Sequence, residues 1–469
     1  MYIKIFCSWL SMLCALTGIC QSTGNSSERP NILIFIADDC TFRDISCYGS
    51  PDTKTPNIDR LAKEGMLFKN CFQATAMCSP TRHNLLTGLY PVKSGAYPNH
   101  TFAKDGTQSI AQYLKPLGYR TALLGKTHIN PPEVFPFEYL GDNGDDLDFG
   151  KMEEFLASTT NGNQPFFLFV ASHQPHGPHN KGDRSAFNKE KVTLPPYYAD
   201  TEETRDAFVN YLAEVNYMDA EVGRCLELLK KYGCTDNTLV IFTSEQGNTF
   251  PFAKWTCYGN GLQTAFVAKW PGRIHPNSIS NAMVEYVDVV PTLIDIAGGH
   301  IPKVLDGSSF LPVLLGERDT HKEYVYGIQT TRGINNGSDY YGIRTVRSQN
   351  FRYIRNLTPE VPFQNVIITG QNSNSVFMSW VRAAETDPLA QELVYKYQYR
   401  PAEELFNIQD DPYEMNNLAY DPAYTAIKTS LSEKLDCWMT EQGDQGQETE
   451  LAADEHLNNA RRKKMEEKK

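Results

Sequence analysis

Four short apolar runs along the chain each end in polar residues able to do chemistry. NILIFIADD closes on Asp38 and Asp39, YRTALLGKTH on Lys126 and His128, PFFLFVASHQPH on His173 and His176, and LVIFTSEQG on Glu245 and Gln246. Runs this short and this rich in β-branched and aromatic residues predict buried strands. Between them, the apolar residues of NIDRLAKEG, SIAQYLKPLG and EETRDAFVNYLAEVNYMDAEVGRCLELLKKYG recur three and four apart, the spacing of one helical face. Strands alternating with helices predict an α/β fold, a large, mostly parallel sheet flanked by helices. Such sheets bind ligands beyond the carboxyl ends of their strands, so the polar tips are expected to converge on one pocket.

After the helical pattern YVDVVPTLIDIAG and a loop around Asp306 and Gly307, the texture changes. Short strand patterns follow, EYVYGIQT, YYGIRTVRSQ and FRYIRNL, and then a helix near residues 424 to 439, which together predict a smaller C-terminal α+β domain. The expected division is a catalytic domain over 30–319, the smaller domain over 320–442 and a charged tail over 443–469. The tail is poor in large apolar groups and reads as a solvated helix or a frayed end. No internal repeat is visible.

Composition narrows the function. The 469 residues, 41 % hydrophobic and 21 % charged, can bury a sizeable core. A formal net charge of -12 argues against a nucleic-acid partner, which needs phosphate neutralisation by Lys and Arg, so an anionic substrate requires a locally basic pocket. Residues 1–20 carry one lysine and then an apolar stretch too short to span a bilayer comfortably, followed by QSTGNSSERP. This is the pattern of a secretory signal peptide with no transmembrane segment, and it predicts an exported protein, periplasmic, extracellular or lysosome-like. Lipidation of Cys20 is the weaker alternative, because Ile19 stands where a small residue is wanted. Of the 11 cysteines, Cys7, Cys14 and Cys20 lie in this leader; the others show neither CxxC nor zinc spacing, and an exported context permits disulfides among them.

In TAMCSPTRHN, Ser79 can cap a helix, Pro80 suits the first helical position and Arg82 falls in the first turn. The unpaired N–H groups of such a terminus favour an anion beside Cys78.

These segments, in this order, resemble a known family. CSPTR matches the CxPxR core of the sulfatase pattern and TGLYP continues it; with NILIFIADD, TPNIDRLAKEG, GKTH, HQPH and SEQG, nearly the whole mature chain resembles a type I sulfatase of the alkaline-phosphatase-like superfamily. The resemblance implies that a formylglycine-generating enzyme oxidises Cys78 to formylglycine, whose hydrated form is the nucleophile. It implies one calcium ion held by Asp38, Asp39, Glu245, Gln246 and residue 78. The chain departs here from the family's usual Asp followed by Asn or His, offering Glu245-Gln246 instead. Arg82, Lys126 and Lys254 are implied to stabilise sulfate charge, His128 to assist the nucleophile, and His176 to protonate the leaving group, with His173 as the alternative acid.

The layout is most similar to the sulfamidase and glycan-sulfatase branch, through GKTHINPPEVFPFEY, SEQGNTFPFAKW and FRYIRNLTPEVPF. This implies an exo-acting enzyme on a sulfated saccharide, with Asn99, His100, His173 and Arg332 as candidate sugar contacts; from the residues alone, Asn99, His100 and Arg332 read more readily as solvated loop residues. The Glu245-Gln246 departure places O-sulfated galactose, N-acetylgalactosamine or glucosamine ahead of N-sulfoglucosamine. Two further alternatives stand: a phosphatase of the same superfold, which usually has a Ser or Thr nucleophile and two zinc ions, and a glycan-binding relative whose cysteine is never oxidised.

Overall fold

The computed structural model describes residues 29–160, 164–369 and 375–466. The expected signal peptide, with Cys20, lies outside them. The large sheet has eight strands, β1 (Asn31–Ala37), β2 (Met66–Phe72), β3 (Arg120–Gly125), β4 (Glu138–Gly141), β5 (Phe166–Ala171), β6 (Thr238–Ser244), β7 (Gln263–Lys269) and β8 (Ser278–Glu285), in the order β4-β3-β5-β1-β6-β7-β2-β8. Every pairing is parallel except those of β7, which runs antiparallel to both β6 and β2. The sheet is therefore mostly parallel, as the strand-helix alternation requires.

Both faces of β1 are covered. Leu33, Phe35 and Ala37 point into one apolar cluster and Ile32, Ile34 and Ile36 into the other, which is why the strand reads as a continuous apolar run instead of an alternating one. The helix Glu202–Lys231 supplies much of the first cluster through Phe208, Tyr211, Leu212, Val215 and Met218. Thr201 starts it by accepting from the backbone of Thr204, Glu202 and Glu203 sit in its first turn, and Lys230 and Lys231 in its last, charges that match the helix dipole at both ends.

A second, antiparallel sheet has the order β12-β11-β10-β9, built from β9 (Val325–Thr330), β10 (Gly342–Arg347), β11 (Phe351–Asn356) and β12 (Glu403–Asn407). The helix Thr425–Gln442 packs on it, with Trp438 stacked on Tyr326 at 5.0 Å between ring centroids. The charged last stretch departs from the solvated end expected of it. It is helical over Gln447–Glu466, and one side of its first turns is buried, where Glu450 and the preceding Asp444 flank the buried Arg344 of β10, Glu450 at 2.9 Å.

Among the described residues all eight cysteines are free, and no helix is long and apolar enough to cross a membrane.

Candidate active site

Strand register brings the polar tips together. Ile36 of β1 pairs with Ala171 of β5, Ala37 with Ser244 of β6, and Gly125 of β3 with Ala171. The ladder continues one residue past the strands, with Asp38 N–H donating to the Gln174 carbonyl, Lys126 N–H to Ala171 and Glu245 N–H to Ala37, each at 2.9 Å. Asp38, Lys126 and Glu245 thus leave β1, β3 and β6 at the same level, with β5 between β3 and β1. Asp39 (φ 62°) and His128 (φ 50°) turn through the left-handed region, a conformation costly for side-chain-bearing residues that is found where surroundings impose it.

The helix Cys78–Thr87 points its N-terminus at this level, and all of it is buried. Cys78, not Pro80, is its first residue, and the preceding Met77 occupies the cap position without a side-chain bond. Ser79 does not cap; its buried Oγ has no hydrogen-bond partner. His83, which sequence reasoning passed over, locks the helix in place: its Nδ1–H donates to the Ser79 carbonyl at 2.7 Å and its Nε2 accepts from the Asn130 N–H at 3.2 Å.

Cys78 is 4 % exposed, with its Sγ 3.5 Å from Asp38, 3.8 Å from Asp39 and 3.3 Å from the Gln246 amide nitrogen. Around it, Lys126 pairs with Asp38, Arg82 with Glu245, and Lys254 with Asp39 at 2.7 Å; Arg82 also lies 3.8 Å from Asp38. Three buried carboxylates are thus matched by three cations, the arrangement that burial of charge demands. Burial, with the Glu245 and Asp38 carboxylates, raises the Cys78 thiol well above its ordinary range, so the unmodified side chain is a poor nucleophile. Burial alone favours the neutral acid at Asp38, but Lys126, His176 and Arg82 hold its carboxyl well below the usual range. Glu245 goes the other way, pushed up to about 8 by burial and by Asp38 despite the opposing Arg82.

A cleft of about 790 Å³ opens above Cys78, Lys126 and Lys254. His128, His100, His173, His176, Asn99 and Asn130 line it, and Gly333, Ile334, Asn335 and Val366 close its far side. His128 Nε2 meets His100 Nδ1 at 2.7 Å, and burial, Lys126 and His100 lower His128 to about 2, which keeps the ring neutral. His176 is 41 % exposed; its Nδ1 donates to the Gly177 carbonyl at 2.7 Å, leaving Nε2 turned toward Asp39 at 3.7 Å. His173 lies 3.8 Å from Asp142, farther from the nest around Cys78. Of the sequence candidates, Arg332 alone is turned elsewhere: its guanidinium pairs with Asp454 at 2.5 Å, and the chain borders the cleft only from Gly333 onward.

The donor set fits a divalent cation. Asp38, Asp39, Cys78 and Glu245 offer ligand atoms that all lie within 4.8 Å of one another, and the buried Oε1 of Gln246 has no hydrogen-bond partner. Hard carboxylate and amide oxygens suit such an ion, and the longer Glu245 and Gln246 arms still reach the nest. A buried acid pushed up to about 8 is what crowded carboxylates show before a cation binds them.

A model of the Sulfatase family matches residues 30–146 and 127–299, and a model of the N-sulphoglucosamine sulphohydrolase C-terminal region matches residues 247–360. An Ulvan-active sulfatase of Formosa agariphila is 37% identical over 431 residues, covering 89% of this chain and 81% of that protein. The chain is a member of the sulfatase family. Its activity class is accordingly sulfuric ester hydrolysis. The sulfatase is also similar to the N-sulphoglucosamine sulphohydrolase of Homo sapiens, 29% identical over 488 residues, with 92% of this chain and 93% of that one covered. Among solved structures, BT4656 in complex with its substrate D-glucosamine-2-N,6-O-disulfate shares the fold at a TM-score of 0.67 and 21% identity, over 90% of this chain and 99% of that one.

Several groups in the sulfatase's cleft escaped the sequence reading: Trp255, Thr249, Asp142 and Asn335. All lie on loops, where no periodicity marks them. Trp255 carried one usable signal, its place directly after Lys254; it holds a φ of 66°, unusual for a bulky residue, and its ring lies 5.1 Å from the Lys254 ammonium.

Proposed function

We propose that this sulfatase is an exported, exo-acting enzyme that hydrolyses sulfate from an O-sulfated galactose, N-acetylgalactosamine or glucosamine of a glycan. The observation that carries the reading is Cys78, buried among Lys126, Arg82 and Lys254 and open on one side to a cleft lined with histidine and asparagine. Such a nest suits a compact anion, and such a wall suits hydroxyl groups.

When Cys78 is matured to formylglycine by a formylglycine-generating enzyme, its hydrated aldehyde supplies the hydroxyl that attacks sulfur and the second hydroxyl that later expels sulfate. Asp38, Asp39, Glu245 and Gln246 would hold calcium, which would supply further positive charge to the sulfate oxygens. The chain's own residues do the rest. Arg82, Lys126 and Lys254 are fixed in place before substrate arrives, so they stabilise developing negative charge without reorganising. His128, oriented by His100, assists the nucleophilic hydroxyl of residue 78. His176, with its Nδ1–H tied to Gly177, presents Nε2, which in the protonated ring gives its proton to the departing sugar oxygen and leaves the ring neutral.

N-sulfoglucosamine is the second reading, favoured by the match of residues 247–360 to the N-sulphoglucosamine sulphohydrolase C-terminal model. One experiment separates these possibilities. Protein from its native host is assayed for sulfate release from O-sulfated galactose, N-acetylgalactosamine and glucosamine and from N-sulfoglucosamine, beside a phosphate monoester and a phosphodiester. Turnover of the O-sulfated sugars supports the first reading, and turnover of N-sulfoglucosamine alone replaces it with the second. Preference for a phosphoester overturns both, and binding without turnover leaves the glycan-binding alternative.

A further inference from the structure

The cleft wall that carries Asn99 and His100 is not self-supporting. Asn99 N–H donates to the Arg332 carbonyl at 3.3 Å, and the next residue, Gly333 (φ 81°), lies so close that a Cβ there would come within 2.5 Å of the Asn99 carbonyl oxygen. Arg332 is in turn gripped from the C-terminal helix. Asp454 accepts from its Nε at 2.8 Å and its NH2 at 2.5 Å, and from the Tyr340 hydroxyl at 2.7 Å, while the guanidinium lies over the Tyr340 ring at 4.7 Å. The same helix reaches the loop directly. Its Thr449 carbonyl accepts from the Tyr97 hydroxyl at 2.8 Å, its His456 carbonyl accepts from Thr101 Oγ1 at 3.3 Å, and the His456 ring packs edge-on against Tyr97 at 5.0 Å.

We infer that the C-terminal helix is a strut for the substrate-binding wall, and that Asp454 is a positioning residue for the saccharide, acting through Arg332 and the 97–101 loop. The geometry explains why charged residues of the last stretch are partly buried: the helix root is fixed by Arg344, and its middle presents Asp454 to Arg332. It also gives Arg332 a role other than sugar contact. Its backbone carbonyl holds Asn99 while its side chain transmits the position of the helix. Loosening this chain of contacts displaces Asn99 and leaves the ion pairs around Cys78 in place, because none of them involves the strut; a shift of His100 reaches His128 and lowers kcat on every substrate alike. A sugar that needs the wall is then bound less well, whereas a small sulfate ester that needs only the nest is not.

This inference rests on the proposed saccharide substrate, and its test separates the two. Asp454→Ala and Thr101→Val are compared with the unaltered enzyme on the sulfated sugar it turns over and on a small aryl sulfate, with Asp454→Glu as the conservative rescue, and amide exchange is followed over residues 97–102. Expected for Asp454→Ala are a KM for the sugar raised about tenfold, a smaller change in kcat, an unchanged KM for the aryl sulfate and faster exchange in the loop. Thr101→Val should move the same quantities less, and Asp454→Glu should restore most of the loss. Equal rises in KM on both substrates, or an unchanged sugar KM with unchanged loop exchange, overturn the strut. If the unaltered enzyme turns over no sulfated sugar, the saccharide reading fails, while the exchange experiment still decides whether Asp454 holds the loop.

Discussion

Lys254 and Asp39 meet at 2.7 Å in the interior, both almost wholly buried, although 215 residues of chain separate them. The pair ties the loop after β6 to the loop after β1, and it places a fixed ammonium 5.1 Å from the Trp255 ring at the floor of the cleft. Removing one partner of such a pair strands the other charge away from water, a cost of about 3–5 kcal/mol.

The Lys254→Met variant should therefore lose on two counts. Its kcat/KM should fall by about 10²- to 10³-fold, the size of effect seen when one fixed donor to a developing oxyanion is lost. Its melting temperature should fall as well, because Asp39 loses its counter-charge. Steady-state kinetics and a thermal melt on the same preparation check both; unchanged kcat/KM would remove Lys254 from the charge-stabilising set.

Cys78 makes a contrasting case, since its thiol is buried but bears no fold-defining contact beyond the nest. Cys78→Ala should keep the melting temperature within a few degrees while turnover drops by about 10⁴-fold or more. In active protein, the tryptic peptide that contains residue 78 should weigh about 18 Da less than its thiol form, the mass difference of the covalent change itself. A full-mass thiol in fully active protein would sink the formylglycine reading.

Glu245 predicts a dependence on both pH and metal. Its carboxyl is pushed up to about 8 in the metal-free protein, above the ordinary value of 4.5, so folding favours the protonated acid. A folded-state value raised in this way gives stability that is present below about 4.5 and lost as the pH rises toward about 8. Asp38, held low, acts only at more acid pH and does not cancel this. His128, lowered to about 2, pulls the other way below about pH 6.5, so the chelated protein should melt at progressively lower temperature between about pH 6.5 and 8, while calcium restores the most stability at the upper end. Calcium added at pH 7 in weak buffer should also release protons, up to about one per site. Melts with a flat pH dependence after chelation, or calcium uptake with no proton release, would show that Glu245 is not a ligand.

Much of the nest was legible because Asp38, Asp39, Lys126, His128, Glu245 and Gln246 sit one to three residues past strands whose apolar runs are unmistakable. Asp38, Lys126 and Glu245 are brought level by the register of β1, β3, β5 and β6, and that register follows from parallel pairing alone. Strands β2, β7 and β8 were harder to see, since they end in no such residues and β7 reverses direction. The rim was harder still. Trp255 and Asn335 lie on loops without periodicity, and Arg332 looked like a sugar contact because nothing local to QTTRGIN reveals an aspartate 122 residues later that claims its guanidinium. The charged last stretch misled for the same reason: charge runs read as solvated until their distant partners are known.

Arg344 shows what those distant partners are worth. It is buried within β10, its Nε and NH2 are satisfied by Asp444, the latter at 3.0 Å, and its NH1 faces Glu450 at 2.9 Å. Burial raises Glu450 above the ordinary carboxyl range, and the Arg344 charge opposes that rise. Arg344→Met keeps the apolar stem but leaves Asp444 and Glu450 without counter-charge, and should cost about 3–5 kcal/mol in a denaturant melt. Because the helix root is what detaches, limited proteolysis should cut within residues 443–466 well before the α/β body is attacked. The triple variant Arg344→Met, Asp444→Asn, Glu450→Gln removes the stranded charges and should recover part of the loss. If Arg344→Met melts like the unaltered protein and resists protease equally, the ion-paired root is not what secures the C-terminal helix.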